Sequence, residues 1–252
     1  MCELFGMSAS RPAIASEPLS RLRLRGGQEA DNPDGWGVAW WDGDVFHLVK
    51  EPLPACHSET FGALTKTTHS RLIVAHVRKA RHPPINTLNN THPFPGACCG
   101  KEWVFAHNGL VPEVVEMEQQ NIHAVCSPKG ETDSEFAFCH LLSYLAQDFY
   151  APVASEFLMA SLAAASEQIA AHGKFNFLMS DGDYLIAYGH DRLHYLEQSG
   201  EIDIAMIATE PLTDQAHWIS FEPGELRIYR NGKLAGRVVT QPQQVAIPAT
   251  GT

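Results

Sequence analysis

Hydrophobic and polar residues alternate loosely over residues 2–8 (Cys-Glu-Leu-Phe-Gly-Met-Ser), which predicts a short strand starting almost at the chain terminus. After the turn residues Gly26-Gly27 and Pro33-Asp34-Gly35, an apolar block at 36–41 is turned by Asp42-Gly43-Asp44 into 45–50, the pattern of a hairpin. Uninterrupted apolar runs at 72–77 and 103–106 suit buried strands. Each ends at polar residues that could do chemistry, Arg78 and His107-Asn108-Gly109. Thr132-Asp133-Ser134-Glu135 has the form of a capping box, and Ala137, Leu141, Leu142 and Leu145 follow at helical spacing, predicting a helix over 133–149. An Ala- and Leu-rich helix is predicted over 153–171, stopping near Gly173. Beyond it, the runs 175–179, 184–188 and 193–196 read as a meander, completed by 204–209 and by the pair 225–229 and 233–239 around Asn231-Gly232. The Thr/Gln/Pro stretch from Thr240 onward is expected to be loose. Strands, two adjacent helices and strands again predict an α+β fold, two antiparallel sheets packed together with helices outside, and not a βαβ alternation.

Length and composition narrow this picture. At 252 residues, with 44% hydrophobic and 19% charged residues, the chain can bury one ample core, so a single domain over 2–240 with a flexible tail at 241–252 is expected. A formal net charge of -11 with no basic block argues against a nucleic-acid partner. No uncharged stretch approaches the roughly 20 residues needed to span a bilayer, so no membrane role is expected. The six cysteines form no CxxC pair and no regular disulfide spacing, which fits thiols in a reducing cytoplasm. The sequon Asn89-Asn90-Thr91 then has no use.

The candidate chemistry starts at Cys2. Methionine removal is favoured before a small residue, and it would give Cys2 a free α-amine beside its thiol, a nucleophile and a base in one residue. His107-Asn108-Gly109 follows a buried strand, where an amide side chain and an unhindered glycine N–H can cradle an oxyanion. An isolated Asn-Gly is equally a plain turn. The Arg78 fork suits a carboxylate, and Asp133 in the first turn of a capped helix can hold an ammonium group. A surface arginine and a simple helix cap are the bland alternatives. Thirteen histidines show no H-E-x-x-H and no compact ligand cluster, so neither a metal nor another cofactor is expected. Cys98-Cys99 reads as two neighbouring thiols in a loop, and Asp181-Gly182-Asp183 as a hairpin turn.

Met1-Cys2-Glu-Leu-Phe-Gly, Asp34-Gly35-Trp36-Gly37, His76-Val77-Arg78, Asn90-Thr91-His92-Pro93-Phe94, His107-Asn108-Gly109 and Glu131-Thr132-Asp133-Ser134-Glu135 occur in the order found in class II glutamine amidotransferases. The chain resembles this family over nearly its whole length, and its stand-alone YafJ-like members in particular, a likeness strengthened by residues 207–212. The resemblance implies the four-layer αββα sandwich of the N-terminal-nucleophile hydrolases. It implies hydrolysis of the glutamine side-chain amide through a γ-glutamyl thioester. By the same resemblance Cys2 is the nucleophile, Asn108 and Gly109 the oxyanion donors, Arg78 the grip on the substrate α-carboxylate and Asp133 the receiver of its α-ammonium. Arg25, Trp36 and His92 fall in a supporting shell.

One stretch departs from the family pattern. Lys79-Ala80-Arg81 follows the matched arginine where family members with synthase domains carry an aromatic, a small residue and a hydroxyl. A γ-glutamyl peptide or thiol conjugate is therefore an alternative substrate. A non-catalytic glutamine-binding regulatory subunit is an alternative of a different class. The expected partners are glutamine or another γ-glutamyl compound and a separate ammonia-accepting or peptidase protein.

Overall fold

The computed structural model of the chain describes residues 1–81, 85–148, 155–214 and 217–244. The N-terminal alternation extends into a long strand, β1 (Glu3–Ile14), followed by helix α1 (Ser16–Arg25), β2 (Trp36–Trp41), β3 (Phe46–Glu51), a 3₁₀ turn (Ala55–His57), α2 (Glu59–Thr67) and β4 (His69–Val77). Next come β5 (Phe94–Cys98), β6 (Lys101–Leu110), α3 (Glu113–Gln119), α4 (Asp133–Asp148) and α5 (Ser155–Ala170). The chain then runs through β7 (Lys174–Ser180), β8 (Tyr184–Gly189), β9 (His194–Gln198), β10 (Ile204–Ala208), β11 (Ile219–Ser220), β12 (Glu225–Arg230) and β13 (Lys233–Val239). A seven-stranded sheet has the order β11-β9-β10-β1-β4-β2-β3, and a six-stranded sheet the order β13-β12-β8-β7-β6-β5. The αββα sandwich is thus the observed architecture. Among the described residues no helix is long and apolar enough to cross a membrane.

Three apolar clusters hold the layers together. Leu19 and Leu22 of α1 and Phe61 of α2 pack on Phe5, Met7, Trp36 and Ile73 on the outer face of the first sheet. Leu141, Leu145 and Leu162 of α4 and α5 pack on Phe105 and Phe177 on the outer face of the second. Leu4, Val74, Ala106, Leu178 and Ile207 fill the space between the sheets. A strand turns alternate side chains to opposite faces. Counting by two from Leu4, Val74 and Ala106 places Cys2, His76, Arg78 and Asn108 on the inner side of the sandwich. The pairing of Glu3 with Val77 sets Cys2 beside Arg78.

Several expectations are corrected. The meander does not hold: β7 and β8 pair in the six-stranded sheet, but β9 and β10 join β1 in the other one, and β12 then returns to pair with β8. Leu193, Ala205 and Ile207 face the inter-sheet core from the far side, so their alternation is the same whichever sheet takes them. Helices α1, α2 and α3 and strands β5 and β11 were not anticipated. Position 149 of the first predicted helix and positions 153–154 of the second lie outside the described residues, as do 245–252 of the tail. Thr240, expected to be loose, is buried and bonds Tyr188 Oη and Gly224 O. Cys126 and Cys139, expected to be thiols, are joined in a disulfide.

Candidate active site

The inner-facing ends of β1, β4 and β6 open on a cavity of about 530 Å³, closed on its far side by the first turn of α4 and by the segment between α5 and β7. Cys2, Arg78, His92, Asn108, Gly109 and Asp133 all line it. Cys2 Sγ accepts the Lys79 backbone N–H at 3.2 Å and lies 3.4 Å from Lys79 O. Burial pushes the Cys2 thiol above its ordinary value, opposed by the Lys79 backbone and by the charges of Arg78 and the chain terminus.

Arg78 is held from both ends. Its backbone N–H donates to Gly35 O at 2.7 Å and its carbonyl accepts from Asp34 N, while Nη1 donates to Ile85 O and Asn86 Oδ1, both at 3.0 Å. Asp34 also accepts from Ala80 N and Asn86 Nδ2, so this one carboxylate ties the backbone just after the arginine to the asparagine that holds its guanidinium. Gly35 sits at φ 139°, a conformation side chains rarely adopt, and its missing Cβ leaves room for Thr91. Gly109 is required for a different reason. A Cβ there would lie 1.8 Å from Lys174 O and 2.7 Å from His107 Nε2. Asn108 is buried, and its Nδ2 has no hydrogen-bond partner among the described residues. Asp133 Oδ2 accepts the Val111 backbone N–H at 2.7 Å.

The chain and its fold have counterparts among known proteins. Residues 1–202 and 197–250 match the family described as glutamine amidotransferases class-II. YafJ of Escherichia coli (strain K12) is 34% identical over 92% of this chain and 99% of its own length. The chain belongs to the class-II glutamine amidotransferases. It is accordingly an enzyme with glutamine amidotransferase activity, of the class that uses an N-terminal cysteine nucleophile. A crystal structure of a predicted glutamine amidotransferase from Pseudomonas aeruginosa PA01 superposes with a TM-score of 0.69 at 29% identity, over 93% of this chain and 100% of that one. The γ-glutamyl-hercynylcysteine sulfoxide hydrolase of Mycobacterium tuberculosis (strain H37Rv) is 26% identical over 86% of this chain and 88% of its own.

Of the three residues expected in a supporting shell, Arg25 and Trp36 lie on the outer side of the first sheet and His92 lines the cavity. Glu3 points to the outer face of its sheet, and Arg25 Nε donates to its Oε2, so Arg25 braces the residue after the cysteine from the opposite side. Trp36 is buried on that same outer side, stacked on Phe61 with ring centroids 4.6 Å apart, and its Nε1 donates to Glu51 Oε2. His92 does line the cavity, and it packs on His76 with ring centroids 4.1 Å apart. Both rings are buried, and among the described residues none of their four nitrogens has a partner at good hydrogen-bond geometry. Burial and the Arg78 charge push His76 down to about 3. Burial and the charges around it take His92 well below its ordinary value, so both rings are neutral.

Sequence reading gave no role to Thr132, Ser134, His172 or Lys174, which also line the cavity. For Thr132 and Ser134 the capping box was a signal, since it puts the first turn of α4 next to Asp133. For His172 and Lys174 no local pattern was available, because their place is set by the pairing of β7 with β6.

Proposed function

We propose that this enzyme hydrolyses the side-chain amide of glutamine through Cys2, with Met1 removed so that Cys2 carries its own α-amine. The Cys2 sulfur adds to the amide carbon, and the oxygen that becomes negative takes hydrogen bonds from Asn108 Nδ2 and the Gly109 N–H. The C–N bond then breaks, ammonia leaves with a proton relayed by the α-amine, and a γ-glutamyl thioester remains. Water adds to the thioester carbon, the C–S bond breaks, and glutamate and the free thiol result. Arg78 binds the α-carboxylate and Asp133 the α-ammonium, which fixes the amide over the cysteine. A reducing cytoplasm would keep Cys2 a thiol.

The observation that carries this reading is the Asn108 amide. A buried N–H group without an acceptor costs about 1–3 kcal/mol. This one lies on the same cavity as the cysteine and gains its acceptor only when an oxyanion forms there. The test is covalent labelling by an electrophilic glutamine analogue, read by intact mass on processed wild type and on Cys2→Ala. Wild type should gain one adduct and release glutamate from glutamine. Labelling that persists in Cys2→Ala would sink the assignment, and the same spectrum reports whether Met1 is present.

A second reading keeps these residues and changes the leaving group to a peptide or thiol conjugate. It is favoured by Arg81 on the cavity wall and by the similarity to a protein named as a γ-glutamyl conjugate hydrolase. Competition of glutamine against γ-glutamyl dipeptides in one reaction decides it. A higher kcat/KM on glutamine counts against the conjugate. If glutamine wins, a separate ammonia-accepting protein is the partner to seek.

A further inference from the structure

His107 ends the apolar run of β6 one residue before Asn108, yet its side chain points to the other side of the strand, towards α4. There it meets Ser134: Nδ1 lies 2.9 Å from Ser134 Oγ, and Nε2 lies 3.3 Å from the Lys174 backbone oxygen. A carbonyl only accepts, so the ring proton belongs on Nε2, and Nδ1 is left as a bare acceptor. The serine hydroxyl has a single proton and two acceptors within reach, His107 Nδ1 at 2.9 Å and Asp133 Oδ1 at 3.4 Å. The shorter contact wins, and the proton points to the histidine. Asp133 Oδ2 is already engaged by the Val111 N–H, so Oδ1 is the oxygen left for a ligand.

We propose that His107 is a positioning residue for recognition of the substrate amine: by taking the Ser134 proton it keeps Asp133 Oδ1 open to the cavity. Without that acceptor the hydroxyl turns to Asp133 and competes with the α-ammonium for the same oxygen. The inference rests on the proposed role of Asp133, and it makes His107 a determinant of specificity without contact to the reacting amide.

The readout is the ratio of kcat/KM for glutamine to that for its des-amino analogue, which keeps the carboxylate and the amide but lacks the ammonium. In His107→Phe this ratio should fall about tenfold, the scale of one hydrogen bond to a charged group, while the des-amino substrate is turned over nearly as before. His107→Asn, which places an acceptor near the Nδ1 position, should retain most of the ratio. Adding Ser134→Ala to His107→Phe should restore most of what the first change removed, because the competing proton is gone. General damage to the site would lower both substrates together, and that result overturns the proposal. Asp133→Asn separates the two layers of inference. If it leaves the ratio intact, the reading of Asp133 fails; if it collapses the ratio and His107→Phe does not, only the role of His107 fails. Should His107→Phe not fold, nitrogen NMR of the wild-type ring decides, and a proton found on Nδ1 refutes the assignment.

Discussion

Asn108 and Gly109 are neighbours on β6 that serve one cavity through different physics. The glycine is needed for space, since any Cβ would drive into the Lys174 carbonyl and force β6 from β7. In the proposed mechanism the asparagine serves through its buried donor, which has no partner among the described residues and would bond the oxyanion in the transition state. Asn108→Ala should therefore lower kcat by about 10² to 10³ and leave KM for glutamine little changed, the signature of an interaction made only as the oxyanion forms. Steady-state glutamate release on wild type and variant measures both constants. A rise in KM at constant kcat would instead assign Asn108 to ground-state binding. Burial lowers the Arg78 guanidinium from its ordinary value, opposed by the charges of Cys2 and Asp34.

Helix α4 carries the amine end of the proposed site, and its first turn is fixed by more than its sequence signature. Thr132 Oγ1 accepts the Glu135 N–H at 3.3 Å, the first half of a capping box. The reciprocal half is displaced: Glu135 Oε2 takes the Gly130 N–H at 2.7 Å. Glu131 and Asn90 bond each other twice, which couples this turn to the loop whose Ile85 and Asn86 hold Arg78. The Cys126–Cys139 disulfide fastens the segment before the turn to the helix itself. Thr132→Ala should cost about 1 kcal/mol of stability, the usual value of an N-cap, and should raise KM for glutamine as Asp133 loses its fixed position. Urea unfolding and substrate saturation test this, and an unchanged midpoint would show that the disulfide and the Asn90 contacts suffice. Helix α1 shows the converse case. Leu22 and Leu24 alternate with Arg21, Arg23 and Arg25 as in a strand, yet Pro18, Leu19 and Leu22 are the residues it buries. Its helical form is set by packing against Phe5 and Phe61.

At the scale of the whole sandwich, the two sheets enclose a pair of neutral imidazoles in tilted contact, His76 and His92, with no side-chain hydrogen-bond partner on either ring among the described residues. The folded protein keeps His76 unprotonated down to about pH 3, whereas the unfolded chain protonates it near the ordinary value of 6.5. Between those limits the unfolded state binds more protons, so stability falls as pH falls. The fall approaches about 1.4 kcal/mol per pH unit for each such histidine. Urea midpoints measured between pH 7 and pH 4 should show this decline, with a smaller slope in His76→Phe. Parallel slopes in the two proteins would mean that other groups carry the acid sensitivity.

Strand positions, the capped helix and the six ordered motifs were legible in the sequence because they are local. Alternation shows which side chains share a face, and it sets Cys2, Arg78 and Asn108 in phase with core residues of their strands. It does not show which sheet a strand joins, so β9 and β10 were assigned to the wrong neighbours. The same limit hid the outward direction of Trp36 and of Arg25. Only tertiary structure brought His107 of β6 to Ser134 of α4, and His76 to His92. Those contacts depend on how separate elements pack, and no spacing along the chain records the distance between them.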